Sequence, residues 1–171
     1  MGSMFNCSYA SVIKGLNKFN TSKVTLMNRM FSNSHAIALD LSTFDTSKVT
    51  DMQSMFNNSY ARTLDVSNFD TSNVTNMYSM FDGCSKLSSL DLSNFDTSKV
   101  INMLGMFYAC RSLTNLDIRN FDFSNVTSYL DMFTGVPTNC LIIVKDDTAK
   151  EWITSKFTTL TNVKTVAELE Q

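Results

Sequence analysis

Hydrophobic positions along this chain recur on two alternating spacings. The first is short. Leu87, Leu90 and Leu92 read Leu-x-x-Leu-x-Leu, and Leu113, Leu116 and Ile118 repeat it. Apolar residues on alternate positions, as at Leu90 and Leu92, suit a short strand with one face in a core. Earlier copies place Ala36 and Ala61 at the first position and approach it through one residue fewer. The second spacing follows it. Val74, Met77, Met80 and Phe81 fall at i, i+3, i+6 and i+7, which predicts about two turns of helix. Thr50 with Gln53 three residues later reads as a capping box opening that helix. Each unit is therefore expected to be a strand, a turn through Phe-Asp-Thr-Ser, and a short helix.

The unit repeats. The box MxxMF stands at residues 1–5, 27–31, 52–56, 77–81 and 103–107, with YLDMF at 129–133, and it holds all eleven Met. The alternating phrase reads LDLSTFDTSKVT at 39–50, LDVSNFDTSNVT at 64–75, LDLSNFDTSKVI at 90–101 and LDIRNFDFSNVT at 116–127. A degenerate copy, KGLNKFNTSKVT, covers 14–25. The box Phe residues at 5, 31, 56, 81, 107 and 133 recur every 25 or 26 residues. A fixed period in the twenties marks units that cannot bury their own apolar face and stack on neighbours. The expected fold class is an α/β repeat solenoid, leucine-rich-repeat-like, with one short strand and one short helix per coil. The box Met and Phe residues are then the inward face, Met filling irregular gaps. An exposed Met stripe for metal or partner binding is the rival reading, and the company of Phe at fixed positions argues for the core.

The expected organisation is a solenoid over 1–135, starting mid-repeat, and a C-terminal capping unit over 136–171. After Pro137 the pattern changes. Leu141-Ile142-Ile143-Val144 reads as a buried strand and Asp146-Asp147 as a turn. Thr148 with Glu151 reads as a second capping box, and Ala149, Trp152, Ile153, Lys156 and Phe157 follow at amphipathic helical spacing. A final strand is expected over 160–166, with a loose end. The β-α-β unit closes the core with the only Trp. The other end opens inside a repeat with no polar cap. This predicts a longer protein or a partner at that end, and makes the lack of a signal peptide uninformative.

Composition narrows the functional classes. The 171 residues are 43% hydrophobic and 18% charged, with net charge −2. A nucleic-acid binder usually carries a basic stripe, so nucleic acid is not an expected partner. No apolar run approaches the length of a membrane span. The only His, His35, lies in a variable loop and reads as a surface residue. No phosphate loop, GxSxG, HExxH or paired-Cys zinc spacing occurs. No catalytic residue, metal site or cofactor is expected. Cys84 and Cys110 hold equivalent places three residues after the box Phe, where other units have Ser34 and Ser59. They read as free thiols in a small-residue slot, with a disulfide between stacked units as the alternative.

The acidic residues form two ladders. Asp45, Asp70, Asp96 and Asp122 precede Thr-Ser or its variant and read as Asx-turn acceptors. Asp40, Asp65, Asp91 and Asp117 alternate with inward residues and are expected to face outward, where stacked like charges repel unless answered. They are either held by neighbouring hydroxyls or offered to a partner or cations. Ser42, Ser67, Ser93 and Arg119, with Thr43, Asn68, Asn94 and Asn120, are expected to line the same face. These make up the candidate partner-binding strand face.

The run LDLSNFDTSKV, then MxxMF, then GCSKL or ACRSL, resembles the BspA-like leucine-rich-repeat family of bacterial surface proteins. The likeness covers residues 1 to about 135, and IIVKDDTAKEWITSKF is similar to the closing unit of such arrays. The first copy departs at Lys14, Gly15 and Asn20, and the last at Phe123 and Tyr129. The resemblance implies a solenoid, an extracellular address on a bacterial cell surface, and adhesion without catalytic residues. The expected function is thus a non-enzymatic binding module for a protein or glycan ligand on a host or microbial surface. The second reading is a structural spacer displaying another domain, and the third a calcium-stiffened array.

Overall fold

A computed structural model describes residues 1–171. Its core is built from the two phrases. Met52, Met55 and Phe56, Met77, Met80 and Phe81, and Met103, Met106 and Phe107 are all fully buried. The box Phe rings form one continuous column, Phe5–Phe31–Phe56–Phe81–Phe107–Phe133. Neighbouring centroids lie 5.5, 5.7, 5.6, 5.8 and 5.5 Å apart with nearly parallel planes.

The boxes are not helices. In residues 52–59 the N–H groups of Met55, Asn57 and Ser59 donate to carbonyls three residues back, Met52, Ser54 and Phe56. The alternate N–H groups, of Met52, Ser54, Phe56 and Asn58, donate instead to Asn76, Tyr78, Met80 and Asp82 in the next unit, at 2.6–3.0 Å. A helix satisfies its donors within itself, whereas this chain shares them with its neighbour. Ser54 and Asn58 have φ of 54° and 51°, the left-handed region that a right-handed helix excludes and type II turns require. The same pair recurs at Arg29 and Asn33, Ser79 and Gly83, Gly105 and Ala109, and Asp131 and Gly135. Consecutive tight turns also bring i, i+3 and i+4 to one side, so side-chain spacing alone imitates a helix. The expected Thr50–Gln53 capping box is absent as well. Gln53 N–H donates to Asp51 Oδ1 at 2.8 Å, an Asx-turn that recurs at Asn76 and Asn102.

Ala109 separates the two backbones. In a helix, Gly in place of Ala costs about 1 kcal/mol. At φ 54° the exchange removes a left-handed penalty of about 1 kcal/mol, offsetting the entropy lost by Gly. Ala109→Gly is expected to leave the urea midpoint unchanged or raised. A clear fall would restore the helix.

Between boxes the chain pairs twice more. Isolated parallel bridges link Leu26, Asp51, Asn76, Asn102 and Ser128 in succession. A four-stranded parallel sheet holds β1 (Ser89–Asp91), β2 (Asn115–Asp117), β3 (Leu141–Val144) and β4 (Val163–Thr165), in that order. Its register aligns Leu90, Leu116, Ile142 and Val163. A strand in every unit was expected, but the earlier units form none. Their approach is one residue shorter, and only scattered bonds remain, such as Tyr60 N–H to Ser34 O and Arg62 N–H to Ile37 O. Leu39, Leu41, Leu64 and Val66 are buried all the same. The fold is an α/β arrangement on a parallel sheet with little helix.

Thr is the hidden link. Thr21, Thr46, Thr71 and Thr97 are buried, and each hydroxyl donates to the backbone carbonyl of the equivalent Asp one unit on, at 2.9–3.0 Å. Thr46 Oγ1 also accepts the Asp70 N–H at 2.8 Å. Thr46→Val keeps the shape and strands both Asp70 backbone groups. A loss of about 1–3 kcal/mol is expected in chemical denaturation. No loss would show that water replaces the hydroxyl.

Helix is confined to a 3-10 turn, Leu16–Lys18, and to α1 (Asp147–Lys156) and α2 (Val166–Leu169) near the C-terminus. The strand–helix–strand order there agrees with expectation, but three details differ. The N-cap of α1 is Asp146, accepting from Ala149 N–H, because its extended backbone precedes the first turn and Thr148 already lies inside it. The last strand is shorter than expected. The end is not loose: Thr165 and Glu168 form a full capping box on α2, and Lys150 Nζ reaches Glu168 at 2.6 Å. The departures at Phe123 and Tyr129 also find their use. Phe123 stacks on Trp152 at 4.1 Å, and Tyr129 meets Trp152 edge-on at 5.3 Å. Phe157 closes the Phe column against Phe133 at 5.0 Å. No helix is long and apolar enough to cross a membrane.

Candidate binding surfaces

The strand-face carboxylates have local partners. Asp40 Oδ1 accepts from Ser42 N–H and Oγ at 3.3 and 2.6 Å, and Asp65 Oδ1 from Ser67 at 3.1 and 2.7 Å. Asp91 Oδ1 accepts from Ser93 N–H at 2.9 Å. These are Asx-turns, as in the second ladder, where Asp45, Asp70, Asp96 and Asp122 accept from the N–H two residues on. Of the two readings of the first ladder, a tether to neighbouring hydroxyls or an offer to a partner, the tether is present at Asp40 and Asp65. Its signal was the Ser two residues after Asp40, Asp65 and Asp91, the same spacing as in the second ladder; Asp117 has Arg119 there. Asp117 departs further. It is buried and gripped by Arg119, whose Nε lies 3.0 Å from both carboxyl oxygens.

The surrounding strip is narrower than expected. Ser42 and Ser67 are exposed beside Asp40 and Asp65, and Ser93 is half-buried. Thr43 is also exposed. The amides of Asn68 and Asn94 instead reach back to the preceding unit. Asn68 Nδ2 donates to Leu41 O and Phe44 O at 3.1 and 2.9 Å, and Asn94 Nδ2 to Val66 O and Phe69 O at 3.1 and 2.9 Å. Asn120 does the same to Ser93 O. What remains on the face is Asp40, Asp65 and Asp91, each with one oxygen tied and the carboxylate exposed, flanked by Ser42, Thr43 and Ser67.

Hydrogen bonds from the paired Ser side chain and N–H hold Asp40, Asp65 and Asp91 below the usual carboxylate range. The Lys150 ammonium, with the Thr165 N–H, pulls Glu168 down to about 2. A depressed folded pKa stabilises above the unfolded value and is lost as pH falls through the folded one. The melting temperature is therefore expected to be flat from about pH 7 to 5 and to fall below about pH 4. A flat profile to about pH 2.5 would mean that the turns add no stability.

The four thiols are unjoined. Cys84 and Cys110 fill the small-residue slot, and each donates to a buried carbonyl, Phe56 O at 3.0 Å and Phe81 O at 3.1 Å. Ser34 and Ser59 in the same slot accept from Ala36 and Ala61 N–H. Burial pushes Cys110 up to about 12 and Cys140 to about 11. Such thiols stay protonated and are poor nucleophiles.

A second surface was missed in the sequence. Four residues after successive box Phe residues stand Tyr9, His35 and Tyr60. Their rings meet at the surface: His35 stacks on Tyr60 at 4.3 Å, and Tyr9 lies tilted against it at 4.9 Å. They line a groove of about 600 Å³ with Asn33, Asn58 and Lys86. The repeat offset from Phe5, Phe31 and Phe56 was the available signal. Another groove, of about 860 Å³, lies between α1 and residues 94–126. Its aromatic faces, Phe123 and Trp152, already cover each other.

No curated protein and no solved structure matches the chain. The profile of a family described as Mycoplasma protein of unknown function, DUF285, matches residues 1–66 and 39–143. Those spans hold every MxxMF box, the YLDMF variant and all copies of the Phe-Asp phrase, so the chain belongs to the DUF285 family.

Proposed function

We propose that the chain is a non-enzymatic binding module of a bacterial surface protein, built as a leucine-rich-repeat-like solenoid of the BspA-like kind. The supporting observation is the strand face. Asp40, Asp65 and Asp91 recur at one position in successive units, exposed, ionised and fixed by turns. A rigid row of like charges suits a protein partner with a basic face. The family's description names Mycoplasma, which agrees with a bacterial source. The extracellular address and adhesion rest on the resemblance of the repeat. No catalytic role suits the side chains best placed for one: the buried thiols are held protonated, and His35 is stacked on Tyr60 with Tyr9 tilted against it.

The test uses Asn. Asn20, Asn76 and Asn102 already form the same turn in this chain. Asp40→Asn, Asp65→Asn and Asp91→Asn together therefore remove charge and keep the fold. Binding of the native chain to immobilised host matrix proteins, weakened by salt and lost in the triple variant, supports the reading. Equal binding by both moves the site off this face. No binding by either favours the spacer reading, in which the Asp residues serve only their turns.

A further inference from the structure

The groove at Tyr9, His35 and Tyr60 lies outside the carboxylate row, and the scaffold uses the backbone of His35 and Tyr60 but not their side-chain polar groups. None of the three side chains makes a hydrogen bond, and Tyr9 and Tyr60 are 82% and 46% exposed. Tyr60 and His35 lie nearly face to face, at 19°. The column then stops. The next unit brings Ser85 and Lys86 to the groove and no ring, while the groove itself continues past Tyr60 to Gly83. One face of the stack ends in open space beside polar groups.

We propose that this groove binds a saccharide chain, with one pyranose ring seated on Tyr60. A pyranose has a C–H face and a hydroxyl rim. The C–H face meets the negative face of an aromatic ring favourably. The rim finds the amides of Asn33 and Asn58, the Ser85 hydroxyl and the Lys86 ammonium. No carboxylate lines the groove, so an anionic sugar is accommodated as well as a neutral one. A volume of about 600 Å³ is within the range of small-ligand sites and holds a few sugar rings. A single-stranded nucleic acid also stacks on aromatic rings, but it needs a basic track for its phosphates. Here Lys86 is the one Lys or Arg in the lining, on a chain of net charge −2.

His35 is the only His, so its two imidazole C–H signals report on the groove without ambiguity. The experiment follows them by proton NMR during titration with four probes. These are an N-acetylglucosamine tetrasaccharide, mannotetraose, a hyaluronan tetrasaccharide and an oligothymidylate. At least one sugar is expected to shift both signals saturably. Tyr60→Phe keeps the response and Tyr60→Ala weakens it by roughly tenfold, with circular dichroism unchanged in both. Silence toward all three sugars, a response only to the oligothymidylate, or a sugar response that survives Tyr60→Ala would each overturn the proposal. The strand-face reading is probed on a different surface with different variants, so either can fail alone.

Discussion

Phe81→Ala is expected to lower stability by about 3–5 kcal/mol, a loss in the largest class for a single substitution. Phe81 is fully buried and contacts a stacked ring on each side, Phe56 at 5.6 Å and Phe107 at 5.8 Å. Truncation opens a cavity in the middle of the column and removes two ring pairs, each worth about 0.5–1.5 kcal/mol beyond area burial. Units in such a stack are held by their neighbours, so a weak central contact divides the structure into two poorly supported halves. Phe5→Ala supplies the control. Phe5 is half-buried at the first unit and has one stacked neighbour in the column, Phe31. Its loss is expected to be less than half as large. Urea denaturation of the two variants decides the matter: equal losses would show that the column is not what joins the units.

Trp152→Ala is expected to cost about 3 kcal/mol, the lower end for removing a large aromatic, because Trp152 is half-buried. Its indole covers Phe123 and touches Tyr129, with Lys156 Nζ 4.8 Å from the ring centre. Removing it uncovers Phe123 at the place where the Thr ladder gives way to the cover of α1. The variant is therefore expected to melt lower and to associate at high concentration, read by light scattering. A double-mutant cycle with Phe123→Thr, which restores the residue of the other units, should show positive coupling between the two positions. Additive losses would mean that the two rings act independently and that the departure at Phe123 is not an adaptation to α1.

The repeat period, the buried Met and Phe positions and the closing strand–helix–strand unit were legible because burial repeats at fixed offsets in the sequence. The backbone of the box was not. Met77, Met80 and Phe81 share a side in a helix and also in a run of tight turns, and side-chain periodicity does not separate the two. The distinguishing residues were present. Gly105 occupies the first left-handed position of its box, and Asn33, Asn58 and Gly135 the second of theirs, but Arg29, Ser54 and Ala109 at equivalent places mask the pattern. The missing strands at 39–41 and 64–66 depend on a single residue of loop length, a small signal against a strong hydrophobic pattern. For the candidate surfaces, Asp positions were found and their tethering to Ser was not weighed equally in both ladders. The role of Asn68 and Asn94 was hidden, since a side chain that reaches back one unit leaves no local trace. The aromatic groove escaped notice because its rings are spread over three units.

Register between units underlies every surface described above, since it alone brings equivalent side chains to one level. Nuclear Overhauser contacts between backbone protons of residues 52–58 and 76–82 test it most directly. The account predicts a series of such cross-unit contacts, on alternate residues, following the hydrogen bonds from Met52, Ser54, Phe56 and Asn58. A run of helical contacts to the residues three and four ahead within 52–58, with no contact to 76–82, would contradict it.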